Sequence, residues 1–598
     1  MSILKEVINM NNSSSGKYLN ENSFLFLNNS SGTNQIWYQK INGEKKQITF
    51  LDDKVWDYTI HPNGKDIVFM ADIDGNENTQ IYYIKDFRNP SDDSLVNLTE
   101  NNSARYQIGG ITTDGNTLIY TSNERNAANF DICSLDLSTG KKSIIIENSD
   151  NYNHPAGLSP NGKYLVVNKL KSMTDNFLWL ANLETTEFIK VLDEANSAFC
   201  ESPAWLSDSS GFYFTTDFNS EFKYLAFYDI ANNRVKKLYE TNWDINKVSL
   251  SSDDKYLAIT INENGYTRLS FFNTENMNLL NTPQPPKGVI ENFPLNWSEK
   301  DHKLLFTLTS GSRPQDLWTI DLDSDSIMKM TESEVGVEIK EQLVEPTLRH
   351  FISFDGLEIP YWYYRSNSNN RAVVINIHGG PESQSKLVFN ATTQELLAQG
   401  IDVIKPNVRG SVGYGKKYHL LDNVEKRLDS VKDISFLASS IIEENLVDPD
   451  KIAVMGASYG GFMTLASMAF YPKLWAAGID IVGIANFETF LKNTSDYRRS
   501  NRESEYGTLA NDLDTLRRVS PIHKIDEIIA PLMVIHGVND PRVPLSEAEQ
   551  VINSLESRNV PVKSLIYPDE GHGISKKKNQ IDAYPKMVAF LKEHLKIK

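Results

Sequence analysis

The sequence predicts two joined architectures: a seven-bladed β-propeller, then an α/β domain with a doubly wound, mostly parallel sheet. Three observations carry this. A turn-and-strand unit recurs through the first half of the 598 residues at spacings within 43 to 51 residues. The repeat stops near residue 331, and from there apolar strand-like runs alternate with helical stretches.

The repeating turns are Pro62-Asn63-Gly64-Lys65, Thr113-Asp114-Gly115, Pro160-Asn161-Gly162-Lys163, Asp208-Ser209-Ser210-Gly211, Ser252-Asp253-Asp254-Lys255 and Glu299-Lys300-Asp301. Each leads into an alternating run such as DIVFMA, TLIYTS or YLVVNK, then a polar loop and a second aromatic-rich strand, which makes two hairpins per unit. With the opening stretch Ser23 to Ile41 the units number seven. A four-stranded unit cannot bury both faces alone, and a closed ring leaves only short edges, so a propeller fits better than a β-sandwich array or solenoid. Residues 1–17 read as an N-terminal extension, 18–331 as the propeller, 332–346 as a polar, glutamate-rich linker and 347–598 as the second domain.

That second domain opens on two alternating strands joined by Asp355-Gly356, a hairpin signal. Strand-like runs follow at 372–380, 401–408, 451–458, 476–484, 531–540 and 562–572, separated by helical stretches around 391–399, 429–445, 460–471 and 545–557, with a last helix from about 580. In the 429–445 stretch Val431, Ile434, Ala438, Ile441 and Ile442 form one apolar stripe to lie on a sheet.

A formal charge of −18 repels phosphate backbones, so no nucleic-acid partner is expected. The chain opens without a basic, apolar leader pattern and has no apolar run near 18 residues, so no membrane association is expected and a cytoplasmic location is. Two cysteines, Cys133 and Cys200, exclude a disulfide framework. Neither an H-E-x-x-H cluster nor a G-x-G-x-x-G turn after a strand occurs, so no metal or organic cofactor is expected.

Gly456-Ala457-Ser458-Tyr459-Gly460 stands between the apolar strand IAVM and a helix. Small residues around Ser458 allow the sharp turn that exposes its hydroxyl at the carboxyl edge of a sheet, which makes this second domain an α/β-hydrolase domain. A serine hydroxyl needs a base, and the base a carboxylate. In the order Ser, Asp, His, the candidates on loops after later strands are Asp540, after PLMVIHGVN, and His572, in Asp569-Glu570-Gly571-His572-Gly573. His378 and His536, at strand ends, read as structural. An oxyanion would be held by the backbone N–H of Tyr459 and by one from His378-Gly379-Gly380-Pro381, with Gly380 preferred and Gly379 next.

FDGLEIPYWYY, HGGPES, NVRGSVGYG, GASYGGFM, HGVNDPRVP and DEGHG, in that order behind a propeller, resemble the prolyl oligopeptidase family of serine peptidases, in particular its acylaminoacyl-peptidase-like branch. The resemblance implies Ser458 as nucleophile, His572 as base, Asp540 as orienting acid, and a propeller that restricts access to short peptide substrates. Self-association into a homo-oligomer is a family-level expectation. Two departures stand out. KKYHLLDNVEKRLDSVKD after Tyr414-Gly415 replaces a glycine- and tryptophan-containing loop, and NSEFKYLAF at 219–227 has only Glu221 where dipeptidyl-peptidase relatives pair two glutamates, which disfavours that activity.

Specificity is less legible. Phe487 and Phe490 follow a strand on the nucleophile's side and suit either an apolar wall for the residue before the scissile bond or core packing. Arg498 and Arg502, in the guanidinium-rich run 496–503, suit either capture of a peptide C-terminus or a solvated helix face. A carboxylesterase, a C-terminal-releasing peptidase and a propeller scaffold carrying an inactive hydrolase domain are the alternatives to a peptidase of short chains.

Overall fold

The computed structural model describes residues 2–41, 43–89, 94–149, 152–172, 174–290, 294–333 and 336–598. Seven antiparallel sheets follow one another through the first half, six with four strands and one with three among the described residues. The second blade is representative: Val55–Ile60, Ile67–Ala71, Gln80–Ile84 and Leu95–Asn97 in consecutive order. Its middle strands are buried on both faces, because each blade packs its apolar faces on two neighbours.

The ring closes by packing blade one on blade seven. Tyr18, Phe24 and Phe26 meet Leu305, Leu317 and Met330, and the Tyr18 hydroxyl lies 2.8 Å from Thr319 Oγ1. The first strand is Ser13–Asn20, so the propeller begins inside the expected 1–17 extension. The run Ser13-Ser14-Ser15-Gly16 lacks apolar alternation and reads as coil, yet a Cβ on Gly16 would come within 2.7 Å of Leu305 Cδ2. The glycine admits the neighbouring blade. Upstream, the short helix Leu4–Asn9 buries Leu4, Val7 and Ile8 against the second domain, and Ile3 N–H donates to Glu395 Oε2 at 2.8 Å. Those residues are therefore a strap between the domains. In the expected linker 332–346, residues 334 and 335 lie outside the described residues; a single helical turn, Val337–Lys340, precedes the next sheet.

The second domain holds eight strands: β1 (Thr347–Ile352), β2 (Glu358–Tyr364), β3 (Val373–Ile377), β4 (Asp402–Pro406), β5 (Ile452–Ala457), β6 (Ala477–Ile481), β7 (Leu532–Gly537) and β8 (Val562–Tyr567). Their order is β1-β2-β4-β3-β5-β6-β7-β8, antiparallel for β1, β2 and β4 and parallel from there on. Helices Arg427–Glu443, Tyr459–Phe470 and Leu545–Ser557 cover one face; Ala391–Ala398 and Lys577–His594 cover the other. Central strands buried on both sides explain the continuous apolar runs in the sequence. All the loops carrying the candidate site leave the carboxyl ends of β3, β5, β6, β7 and β8, the edge at which such sheets place their sites.

Candidate active site

Ser458 stands between β5 and the helix Tyr459–Phe470 at φ 60° and ψ −119°, a conformation costly for a non-glycine residue. The elbow is held from both sides: Ser458 N–H donates to Ile481 O at 2.8 Å, and Ser458 O accepts from Phe462 N–H at 3.0 Å. Its glycines are required by proximity. A Cβ on Gly461 would lie 2.5 Å from Asp480 Oδ1 and from Gly483 Cα, while one on Gly456 or Gly460 would strike backbone of the opposing segment.

Asp540 and His572, on the loops after β7 and β8, are joined by a 2.7 Å hydrogen bond between His572 Nδ1 and Asp540 Oδ2. The other carboxylate oxygen of Asp540 accepts from Arg542 N–H at 2.8 Å and Val543 N–H at 3.0 Å. Burial opposes the charge, but the adjoining His572, the nearby His536 and these backbone donors outweigh it and hold the Asp540 carboxyl below its ordinary range. An ionised Asp540 can only accept, so Nδ1 of a neutral His572 carries the proton and Nε2 is left as the acceptor. His536 is buried with Nε2 2.9 Å from Val543 O, and His378 Nε2 lies 2.9 Å from Ser411 Oγ, so both have structural partners.

A cavity of about 260 Å³ opens beside the nucleophile, lined by Ser458, Gly380, Glu382, Ile484, Phe490, Arg498, Arg502, Tyr506, Arg542 and Val543. Val543 thus touches both halves of the arrangement, since its N–H holds Asp540. Gly380 lies on the wall and its carbonyl accepts from Arg502 Nη1 at 3.4 Å. Gly379 packs on the elbow itself: a Cβ there would sit 3.5 Å from Ser458 Cβ. The side chain of Tyr459 points away into the core, where its hydroxyl meets Ser430 Oγ at 2.8 Å, Asp422 Oδ2 at 3.0 Å and Arg427 Nη1 at 3.2 Å. Arg427 in turn pairs with Asp422 and Glu505. The residue whose N–H begins the helix after Ser458 is therefore anchored at its far end.

Phe490 and both arginines come to the cavity, but Phe487 does not. The helix Phe487–Asn493 turns Phe487 inward, with ring centroids 4.9 Å from Phe462 and 4.5 Å from Tyr506, and Tyr506 takes the wall position in its place. The sequence reading missed Ile484, Tyr506, Arg542 and Glu382. Arg542 and Glu382 lie within the HGVNDPRVP and HGGPES segments and could have been flagged there. Nothing local marks Glu77, a propeller residue whose Oε1 accepts from Arg542 Nε at 2.6 Å. Arg409 is structural, held by Asp433 at 2.9 Å and by both oxygens of Asp355 at 3.0 Å.

Residues 387–598 match the family model described as "Prolyl oligopeptidase family", and residues 112–333 match "Prolyl oligopeptidase, N-terminal beta-propeller domain". The chain belongs to the prolyl oligopeptidase family, as expected from its motifs. Within this family it is 32% identical over 229 residues to the Caenorhabditis elegans protein "Dipeptidyl peptidase family member 6", a stretch covering 37% of this chain and 31% of that one. It is 28% identical over 242 residues to the Mus musculus "Acylamino-acid-releasing enzyme", covering 38% and 33%. The matched stretch spans about a third of the length of these curated relatives. A solved Mycobacterium tuberculosis structure, described as a puromycin-hydrolyzing peptidase, superposes with a TM-score of 0.87 at 17% identity over 100% of this chain and 96% of that one, a likeness of fold.

A second cavity lies between the domains, lined by Glu201, Asp217, Glu221 and Asp244 of the propeller and by Glu382, Lys416 and His419 of the hydrolase domain, among others. The sequence shows Glu221 alone in 219–227. The fold adds Glu201 to the same cavity, where it pairs with Lys223, and Glu221 itself accepts from Lys417 N–H at 2.9 Å.

Proposed function

We propose that the protein is a serine peptidase that hydrolyses short peptides through an acyl-enzyme intermediate. The observation that carries this reading is the 2.7 Å bond from His572 Nδ1 to an Asp540 carboxylate fixed by two backbone N–H groups, on loops at the same sheet edge as the strained Ser458 elbow. In the reaction His572 Nε2 takes the Ser458 hydroxyl proton as Oγ bonds to the peptide carbonyl carbon. The carbonyl oxygen becomes an oxyanion, and the N–H groups of Tyr459 and Gly380 are assigned to it. His572 then gives its proton to the leaving amine as the C–N bond breaks. Water, deprotonated by the same imidazole, releases the acid and restores Ser458.

The propeller serves as the size filter in this reading. Its support is the contact of a blade-two loop with the catalytic loops: Glu77 with Arg542, Asp74 O with Asn539 Nδ2 at 3.1 Å, and Asp74 Oδ1 with Lys576 Nζ at 2.9 Å. The relative that releases acylamino acids makes a blocked N-terminus the first preference to examine.

Labelling of the protein by a fluorophosphonate, abolished by Ser458→Ala, tests the nucleophile. Mass spectrometry of products from peptides of graded length, with free or acetylated N-termini, tests the rest. Failure of the wild-type protein to label would overturn the peptidase reading, and cleavage of long and short chains at equal rates would overturn the filter.

A further inference from the structure

The cavity beside Ser458 has a charge opposite to that of the chain. Arg498, Arg502 and Arg542 line it, with Glu382 as the only carboxylate on its wall among the described residues. Arg542 and Arg105 both lean on the single propeller residue Glu77, at 2.6 and 3.3 Å, and Arg502 Nη1 lies 3.5 Å from Glu382 Oε2. Four guanidinium groups thus gather around Glu77 and Glu382, with Glu505 also acting on Arg502. Deeper still, Arg427 pairs with both Asp422 and Glu505, which commits those carboxylates to a buried cluster around a cation of its own. In a protein with a net charge of −18, this local excess of cations is not a product of composition.

Arg498 shares Glu77 with Arg542 and Arg105 and feels it less than either does. Burial, and then the charges of Arg542 and Arg502, make its protonated form harder to hold, which is the signature of a cation crowded by like charges. Arginine stays charged under such conditions, because its intrinsic pKa is so high. Beside the arginines the wall carries the apolar side chains of Ile484, Phe490 and Val543. Apolar side chains next to guanidinium forks suit a carboxylate carried on a hydrocarbon stem.

We infer that this cavity is a subsite for a substrate carboxylate, held by Arg498 and Arg502 next to the nucleophile. The inference rests on the peptidase reading only for the direction in which the peptide lies. Two sources share this chemistry: an acidic side chain on the residue before the scissile bond, and the free C-terminus of a residue just after it.

The test uses peptides matched in length. One series carries Glu, Asp, Gln or Ala before the cleaved bond with an amidated C-terminus; the other carries Ala there with a free or amidated C-terminus. Selectivity for the carboxylate over its neutral partner on the order of ten- to a hundredfold in kcat/KM is expected in one series. Preference for Glu over Gln assigns the subsite to the side chain, and preference for the free terminus assigns it to the terminus. The ratio should fall toward one in Arg498→Met and be partly kept in Arg498→Lys; being taken within each variant, it is insensitive to a general loss of turnover. Calorimetric binding of the same peptides to the Ser458→Ala protein reads the subsite without any reaction. Equal binding of acid and neutral peptides there overturns the subsite, whereas selective binding without cleavage or labelling by the wild type upholds it and overturns the peptidase reading instead.

Discussion

Gly75 of the propeller and Gly571 of the hydrolase domain, the residue before His572, touch backbone to backbone. A Cβ on Gly75 would stand 2.5 Å from Gly571 N, and one on Gly571 would overlap Gly75 O. The loop that carries the candidate base is thus seated on blade two, and Gly75 also has φ +75°, where a side chain is strained. Gly75→Ala should weaken this seat by about 1–3 kcal/mol, slow fluorophosphonate labelling of Ser458 and lower kcat. Gly336→Ala, where an added Cβ meets nothing within 4 Å, should leave stability and labelling unchanged. Labelling rates and melting temperatures of the two variants decide it; equal labelling would show that the propeller does not position the base.

Asp540→Asn should keep the fold and lose activity. An asparagine amide can donate to His572 Nδ1, which puts the remaining proton on Nε2 and removes the acceptor that Ser458 needs, so kcat should fall about 10⁴-fold. Peptide hydrolysis against thermal melting checks this, and a drop of less than tenfold would exclude Asp540 as the orienting acid.

Tyr459→Phe removes a hydroxyl held by Ser430, Asp422 and Arg427. Loss of these bonds should cost about 1–3 kcal/mol of stability. If the anchor also fixes the backbone N–H beside Ser458, kcat should fall about tenfold, less than deletion of an oxyanion donor costs elsewhere, with KM little changed. A change confined to KM would place Tyr459 in binding rather than in oxyanion support.

Two buried acids make stability depend on pH. Burial, and then Glu547, raise the Asp480 carboxyl to about 7 against the pull of Gly483 N–H. Burial likewise raises Glu547 to about 7 against its donors Thr489, Asn486 and Ala485. A folded value above the unfolded one means that the native state holds more protons, so this stability is complete below about pH 4 and is lost as pH rises through about 7. Other groups titrate over the same range, so the prediction is a difference: Asp480→Asn should remove roughly half of this descending contribution, and its stability relative to wild type should improve from pH 5 to pH 8. Urea unfolding across that range measures it, and a constant difference between the two proteins would refute the assignment.

Much of this protein is written locally. Blade turns such as Pro62-Asn63-Gly64, the glycine-flanked Ser458 after an apolar strand, and loops carrying Asp540 and His572 are short-range patterns, because strand pleat and tight turns are set by neighbouring residues. These determined the two-domain architecture, its order and the candidate nucleophile, base and acid. What the tertiary structure decided lies in pairs remote in sequence: Glu77 with Arg542, Gly75 with Gly571, Leu4–Asn9 strapped to the second domain, and Phe487 buried where Tyr506 lines the cavity. Glu77, Gly75 and the residues of Leu4–Asn9 look ordinary in their own segments, and the others stand in segments whose pattern does not show what they touch. Their meaning arises only when domain packing removes water and sets charge against charge and backbone against backbone, an energy that no local periodicity encodes.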